Sequence, residues 1–373
     1  MHHLSFFNIH KIVASNKEMK ELYLHRLLQS FSLGLIGIFV PIHLMKLGYS
    51  LNQAIIYIIA LYAGMLAFTP VSSKISSKLG VKHTIALSFP LYLIYFWILF
   101  YLKYPSMNYI IIGLIYGIAN VIYWISLNSD FSRNSHKIKL GKEFSILSVI
   151  PMIAGIIAPI IGASIITYVG FNVLMLLIAL ILILSYVPFF MSKDYSFSFD
   201  YKFSKLFDRK YHILFRDFLV KGILFGSNGA WPLYVFIVFG SKGVMNVGLA
   251  ATLGSIGAML FTLTIGKLSD KYDKVKILRI GGLTNLFIWT LAIFFRSPTS
   301  VMVLSLVKGF FFIMIDMPMF LIACEQTDKK NNLEFMTLRE IGLSIGRLFL
   351  FIIILLLPMT LKFQIAFLMS SIS

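Results

Sequence analysis

Residues 266–276 form a short basic turn between two apolar runs of membrane length, at roughly 243–265 and 277–295. A helix needs about 20 apolar residues to cross the ~30 Å hydrocarbon core of a bilayer. The turn is too short to hold a folded domain, so the chain must leave a membrane and re-enter it at once. It therefore predicts two consecutive, antiparallel membrane-spanning helices.

The same arrangement recurs along the chain. The sequence is 58% hydrophobic and 13% charged, whereas soluble globular proteins average about 45–50% and 25%. We predict an all-α polytopic membrane protein with eleven full spans and a short or truncated twelfth at 362–373. The eleven predicted spans are residues 22–46, 53–73, 83–101, 108–127, 144–169, 172–191, 215–239, 244–265, 275–295, 300–324 and 335–357.

The formal net charge of +18 follows this membrane topology and does not indicate nucleic-acid binding. When the cations near span ends are counted with the adjoining loop, 25 of the 33 Lys and Arg residues fall on one side and five on the other. Cytoplasmic loops of membrane proteins carry such an excess of cations. We expect the N-terminal segment 1–21 and the polar, basic linker 192–210 in the cytoplasm. The linker separates two predicted bundles, 22–191 and 211–373.

The basic turn also carries a recognisable pattern. Gly266 permits close helix approach, and Asp270, Lys271 and Lys274 follow it. This pattern resembles the loop signature of the major facilitator superfamily, Gly-x-x-x-Asp-(Arg/Lys)-x-Gly-(Arg/Lys)-(Arg/Lys), with Asp273 in place of the second glycine. The resemblance implies two pseudo-symmetric six-helix bundles, built as parallel repeats. Internal matches support it: Ser73, Ser77 and Gly80 align with Gly266, Asp270 and Asp273 at an offset of 193, and Gly117 aligns with Gly309 at 192.

The resemblance further implies a conformational gate. In the family, the aspartate of this turn pairs with helix-end charge and stabilises one conformational state. We expect such a gate at Asp270, and a weaker one in the first half, where Ser77 replaces the aspartate and Ser73 the glycine.

The fifth span carries a second pattern. Gly155, Pro159 and Gly162 resemble the antiporter signature of the superfamily, with Ala158 and Ala163 at two of its glycine positions. Small residues allow close helix approach, and proline loosens the backbone ladder. The pattern is typical of efflux transporters, and tight helix packing is the alternative interpretation.

Ionisable residues deep within spans are few, and each is costly in hydrocarbon, by at least ~2.5–3.5 kcal/mol on insertion scales. Lys221, Lys308, Asp316 and Arg347 are the clearest cases. Asp316 is either a proton-coupling carboxylate or a structural partner of one of these cations. Lys221 is either a substrate ligand or a snorkelling side chain. Arg347 shares a helix face with Glu340 and Ser344, a pattern that favours a buried polar seam over a ligand site.

In the superfamily, spans 1, 4, 7 and 10 line the central path. The resemblance therefore places Lys221, Lys308 and Asp316 along that path, and Arg26, Asn120 and Trp124 of spans 1 and 4 are further substrate candidates. Lys308 and Asp316 are eight residues apart, so both can face one cavity although they are too distant to pair. The surplus of deep cations suggests an anionic substrate.

These features predict secondary transport of a small solute by alternating access in a lipid bilayer. Proton-coupled efflux of an amphipathic compound is favoured, while import of an anionic metabolite and a non-transporting receptor, lipid-handling or assembly role remain open. No catalytic motif or metal-ligand spacing occurs and Cys324 is the single cysteine, so we expect no enzyme activity, cofactor or metal. Heavy use of Lys, Ile and Asn suggests the cytoplasmic membrane of a bacterium, and we expect a monomer.

Overall fold

The computed structural model describes residues 17–102, 105, 109–135, 139–188, 194, 209–240, 243–326 and 332–373. Within these ranges the chain forms thirteen helices and no β-strand. They are α1 (Lys17–Gly34), α2 (Val40–Lys46), α3 (Leu51–Leu79), α4 (Val81–Tyr101), α5 (Tyr109–Asn134), α6 (Leu140–Tyr168), α7 (Phe171–Tyr186), α8 (Arg209–Phe239), α9 (Gly243–Lys271), α10 (Lys274–Phe294), α11 (Pro298–Glu325), α12 (Asn332–Leu356) and α13 (Lys362–Ser371). Eight of these described helices, α3–α6 and α8–α11, are long and apolar enough to cross a membrane by length and composition. The helices α1 and α2 correspond to the first predicted span, and α3–α13 to the remaining spans.

The first predicted span, 22–46, is not one helix. The helix α1 begins at Lys17 and ends at Gly34, and α2 begins at Val40 with Pro41 in its first turn. Proline has no N–H to donate and clashes with the carbonyl four residues earlier. Residues 35–39 instead form tight turns, in which Phe39 N donates to Ile36 O at 2.7 Å. The prediction of a continuous helix was wrong because the proline interrupts the hydrogen-bond ladder.

The two predicted basic turns, 74–82 and 266–276, are mostly helical. The helix α3 continues to Leu79, and Gly80, with φ 91°, turns the chain directly into α4. In the second turn only two residues separate α9 from α10. Asp273 accepts a hydrogen bond from Val275 N at 3.0 Å and is the N-cap of α10. Asp273, which replaces the second glycine of the signature, thus caps the N-terminus of α10.

The predicted N-terminal segment and linker are only partly described. Residues 1–16 and most of 192–210 lie outside the described residues, and α8 already begins at Arg209. Asp194 of the linker accepts hydrogen bonds from Lys82 N at 3.0 Å and His83 N at 2.9 Å. The linker therefore satisfies backbone donors in the first turn of α4.

The helices pack as two bundles, α1–α7 and α8–α13. One close crossing that only glycine permits occurs between corresponding helices of the two bundles. A Cβ on Gly117 of α5 would collide with the Leu61 carbonyl of α3, and a Cβ on Gly309 of α11 with the Gly254 carbonyl of α9. Gly117 and Gly309, which the sequence repeat aligns, therefore make equivalent contacts with the neighbouring helix in the two halves.

The bundles meet along two seams, α6 against α9 and α3 against α12. The antiporter-like residues lie on or beside the first seam. Gly155 faces the Ser255 side chain of α9, and the Pro159 carbonyl faces Gly248. Gly162 packs on the Leu35 carbonyl, at the break between α1 and α2. The small residues of α6 thus let it approach α9 on one side and the interrupted first span on the other.

The last helix, α13, is short but anchored. Ser227 Oγ donates to Ala366 O at 3.0 Å, and Asn285 Nδ2 donates to Ser370 O at 2.8 Å. Lys362 Nζ donates to the Ile354 and Leu355 carbonyls near the end of α12, at 2.7 and 3.0 Å. Ten helical residues extend about 15 Å, so α13 covers roughly half of a membrane's hydrocarbon thickness.

We expect Gly309→Val to lower the thermal unfolding midpoint of the detergent-solubilised protein by several degrees, because overpacking a tight contact costs about 1–3 kcal/mol or more. Gly282→Val is the matched control, since a Cβ at Gly282 meets no neighbouring helix within 4 Å and the change in helix propensity is the same in both variants. Equal midpoints for the two variants would show that the α9–α11 contact does not depend on glycine.

Candidate functional site

A cavity of about 640 Å³ lies between the two bundles. Its lining comes from α1, α2, α3, α5 and α6 of the first bundle and from α8, α9, α11 and α12 of the second. Small-molecule sites in proteins typically measure about 300–1,000 Å³ and combine apolar walls with a few placed polar groups. The size and position of this cavity therefore fit a central site for a small solute.

Aromatic side chains form much of the cavity wall. The sequence analysis singled out only Trp124 among them and missed the other aromatic residues of the wall. The available signal was tyrosine at several positions within otherwise aliphatic spans. The aromatic lining residues are Tyr57, Tyr62, Tyr116, Trp124, Phe144, Phe225 and Phe320.

Asp316 of α11 reaches this cavity and is paired with a lysine of α8. Lys221 Nζ lies 2.9 Å from Asp316 Oδ1, and it also donates to the Asp316 carbonyl at 3.1 Å. The Lys221 side chain is fully buried, whereas 23% of the Asp316 side chain is exposed. Asp316 thus forms an ion pair with Lys221, and its carboxylate also faces the cavity. Its role in proton coupling stays a prediction.

A second charged cluster lies on α12. Glu340 accepts hydrogen bonds from Arg347 Nη1 at 3.1 Å and Arg339 Nη1 at 3.4 Å. The Arg347 guanidinium also lies 5.3 Å from the ring centroids of both Tyr62 and Phe225. Because Tyr62 belongs to α3, this contact joins the two bundles.

All three charged residues of this cluster line the cavity. The polar seam predicted from Glu340 and Arg347 exists, but it borders the central space. Arg339 was not among the predicted site residues, because its position beside Glu340 gave no sign that both side chains turn inward.

Arg26 of α1 is the third charged element of the lining. Its Nη1 donates to Gln29 Oε1 at 3.2 Å, and its guanidinium carbon lies 4.5 Å from the Trp124 ring centroid. No carboxylate among the described residues lies within ion-pair distance of Arg26. Asn120 also lines the cavity and donates to Tyr116 O at 2.8 Å. The structure therefore places Arg26, Asn120 and Trp124 in one cavity lining, and their contact with a substrate stays a prediction.

Lys308 occupies a different place from the one predicted. It does not belong to the cavity lining, although Asp316 on the same helix does. Its ammonium lies 4.2 Å from the Trp231 ring centroid and 4.7 Å from that of Trp289, inside the second bundle. Cation–π contacts of this kind stabilise a desolvated cation by about 2 kcal/mol. Spacing along the chain gave no sign of this pair of indoles, because they lie on two different helices, α8 and α10.

One end of the cavity is closed by contacts between the bundles. We call it the basic end; it carries the α3–α4, α5–α6 and α9–α10 corners with Lys74, Lys78, Lys142, Lys271, Lys274 and Lys276. The rings of Phe144 and Phe320 stack with centroids 4.4 Å apart, and Phe131 packs on both. These three side chains come from α5, α6 and α11, so they close the path across the bundle boundary.

The gate predicted at Asp270 lies at this basic end. Its carboxylate accepts hydrogen bonds from Gly141 N at 2.8 Å and Lys142 N at 3.0 Å, in the first turn of α6. Gly266, one turn earlier, leaves room for the Ser145 hydroxyl. A carboxylate at a helix N-terminus satisfies orphan N–H groups and interacts favourably with the helix dipole.

At the matching position of the first half, Ser77 takes the place of the aspartate. Ser77 Oγ donates instead to Lys74 O at 2.8 Å, within its own helix. Contact between the bundles is made here by Ser73 Oγ and Thr337 Oγ1, which lie 2.5 Å apart. Lys271 Nζ lies 5.4 Å from the Tyr272 ring centroid, and Lys274 pairs with Glu325 at 2.8 Å.

Apolar spans in two bundles around a central cavity with polar groups in its wall are the arrangement expected of a membrane transporter. The sequence matches the family model of the Major Facilitator Superfamily over residues 22–244 and 218–373. The chain therefore belongs to the Major Facilitator Superfamily and is a multi-pass membrane transporter. No curated protein sequence matches the chain at a significant level.

Solved structures share the fold at low sequence identity. The human organic anion transporter MFSD10 (TETRAN) superimposes with a TM-score of 0.73 at 13% identity, covering 95% of this chain and 96% of that one. A bacterial homologue of the iron transporter ferroportin, in an outward-facing state with soaked iron, gives a TM-score of 0.71 at 18% identity over 95% of each chain. The same homologue in its outward-facing state gives 0.72 at 18% identity.

We expect Asp316→Asn to destabilise the protein by about 3 kcal/mol, because removing one partner leaves the buried Lys221 ammonium without a counter-charge. Adding Lys221→Met should restore most of this loss. The measurement is thermal unfolding of the two single variants and the double variant in one detergent. Additive losses in the double variant would show that the two residues do not stabilise each other.

We expect Asp270→Asn to open the basic end more often, by about fivefold, because a charge at a helix N-terminus contributes about 1 kcal/mol. The measurement is the rate at which a water-soluble thiol reagent, supplied from the basic side, labels Asn128→Cys in a Cys324→Ala background. Asp273→Asn is the matched control, since asparagine is an equally good N-cap. Equal labelling rates in both variants would contradict a gating role for Asp270.

Proposed function

We propose that this protein carries an amphipathic organic anion through the central cavity by alternating access, in the cytoplasmic membrane of a bacterium. The observation that carries the proposal is Arg26, a cation in the cavity wall with no carboxylate partner among the described residues. A cation that faces a cavity without a counter-charge is costly when the cavity is closed around it. An anionic substrate supplies that counter-charge.

The other charged side chains of the cavity lining also favour an anionic substrate. Arg339 and Arg347 share the single carboxylate of Glu340, while the Asp316 carboxylate is matched by Lys221. Each cavity carboxylate is thus already paired with at least one cation. Among the described residues no group of three or more His, Cys, Asp or Glu converges as a metal site, so the wall offers more to an anion than to a metal cation.

The aromatic wall supports an amphipathic substrate. Tyrosine, tryptophan and phenylalanine side chains offer large apolar faces, and the guanidinium groups of Arg26 and Arg347 already lie against such rings. A substrate with an apolar or aromatic body and an anionic group matches both features. The human structural neighbour named above is described as an organic anion transporter, which is consistent with this proposal although the shared fold alone does not establish it.

Protons are the proposed coupling ion, with Asp316 as the proton-binding group. Its carboxylate is partly exposed to the cavity, and its protonation would break the pair with Lys221. Efflux is the proposed direction, supported by the antiporter-like residues of α6, and import is the alternative. By the positive-inside rule the basic end and the N-terminal segment lie in the cytoplasm. The two bundles 22–191 and 211–373 are the proposed moving units of a monomer.

A protein that only binds its ligand is the rival from another class. Sealed proteoliposomes separate the two, because a receptor binds the anion without moving it across the membrane. Naphthalene-2-sulfonate is a suitable probe, since it is aromatic and carries one permanent negative charge at any working pH. Flux that follows an imposed pH gradient would support proton coupling, and its response to the sign of the gradient reports the direction.

We expect Arg26→Gln to weaken binding of naphthalene-2-sulfonate by about tenfold or more, because a hydrogen bond to a charged group contributes about 1.5–3 kcal/mol. The measurement is a ligand-induced shift of the thermal unfolding midpoint across a concentration series. Lys276→Gln removes an exposed cation at the basic end and should leave binding unchanged. Binding of the lipophilic cation tetraphenylphosphonium in preference to the anion would overturn the proposal.

A further inference from the structure

The uncompensated positive charge of the cavity is divided between the two bundles. In the first bundle it rests on Arg26 of α1, which touches Gln29 and Trp124. In the second bundle it rests on α12, where Arg339 and Arg347 share Glu340. We call these the α1 pole and the α12 pole. Both belong to the lining of the same cavity.

Each pole carries one net positive charge. At the α12 pole two guanidinium groups face one carboxylate, and at the α1 pole a single guanidinium has no carboxylate in reach among the described residues. The remaining charged side chain of the lining, Asp316, is neutralised by Lys221. The α5 residues Asn120 and Asn128 add only uncharged amides to this lining. The wall thus presents two positive charges, one on each moving half.

We propose that the substrate is an organic dianion whose two anionic groups bind the α1 and α12 poles, with an apolar or aromatic body between them. This inference rests on the proposed transport of an organic anion and specifies its charge and shape. A dianion neutralises both poles at once, whereas a monoanion leaves one of them uncompensated. Because its ends bind different bundles, it also favours the conformations in which the bundles approach each other.

The aromatic rings support the placement of the substrate body. Trp124 lies against the Arg26 guanidinium, and Tyr62 and Phe225 lie against that of Arg347. Each pole is therefore a guanidinium held in position by aromatic faces, which limits the entropy that binding must overcome. Arginine in such a position presents several N–H donors to a carboxylate, sulfonate or phosphate group.

The test compares two probes that share one aromatic body. Naphthalene-2,6-disulfonate carries two permanent negative charges, and naphthalene-2-sulfonate carries one. A series of α,ω-dicarboxylates of 4 to 10 carbons, each paired with its monocarboxylate, varies the distance between the anionic groups. Binding to the full-length protein is measured by thermal shift and by calorimetry, at one ionic strength high enough to screen long-range attraction.

We expect at least one dianion to bind about tenfold or more tightly than its matched monoanion. Arg26→Gln should remove this advantage, because monoanion and dianion then both bind through the α12 pole alone, while Arg26→Lys should retain part of it. Lys276→Gln is the control for a general loss of positive charge. Each variant's unfolding midpoint without ligand shows whether it is folded.

The outcomes separate this inference from the proposed function. Monoanions that bind as tightly as dianions, or a dianion advantage that survives Arg26→Gln, would overturn the two-pole site while leaving anion transport in place. Failure of every anion in the series to bind would overturn both. A dianion advantage that is lost in Arg26→Gln and partly kept in Arg26→Lys would support the site.

Discussion

Most charged side chains within the membrane-spanning helices are compensated by partners on the protein, and the arrangement of the helices depends on these contacts. Each such charge is costly in hydrocarbon unless it meets a partner or faces water. Lys221 meets Asp316, the two arginines of α12 meet Glu340, and Lys308 meets the faces of two indoles. Only Arg26 faces the cavity without a carboxylate from the described residues. The proposed binding of an anion rests on this guanidinium and on the second arginine of the α12 cluster, which shares its carboxylate.

The contacts between the two bundles are concentrated in the α6–α9 and α3–α12 seams. Glycine, serine and threonine let α6 and α9 approach closely, and backbone atoms form much of this seam. The basic end is closed by the Asp270 cap on α6 and the stacked rings of Phe144 and Phe320. At the matching place of the first half, the Ser73 and Thr337 hydroxyls meet across the α3–α12 seam.

The all-helical fold and family could be predicted from sequence because membrane-length apolar runs and a repeated turn are local signals. Gly117 and Gly309 show why the repeat was visible: glycine is required where a helix backbone passes within van der Waals distance. The break after Gly34 was missed, since it depends on Pro41 acting within an otherwise apolar run. Lys308 was misplaced and Arg339 missed for a different reason. Which way a buried side chain points depends on partners from distant helices, and spacing along one helix does not report them.

Measuring the sign of the electrostatic potential inside the cavity tests most directly whether the cavity is suited to an anion. This sign can be measured with Asn120→Cys in a Cys324→Ala background, which leaves one thiol in the cavity wall. Two methanethiosulfonate reagents, one carrying a sulfonate and one a trimethylammonium group, are compared after normalising to their rates with a free thiol. If the cavity favours anions, the sulfonate reagent reacts faster, and Arg26→Gln reduces the ratio of the sulfonate rate to the trimethylammonium rate. A faster reaction with the trimethylammonium reagent, or a ratio unaffected by Arg26→Gln, would contradict an anion-binding cavity.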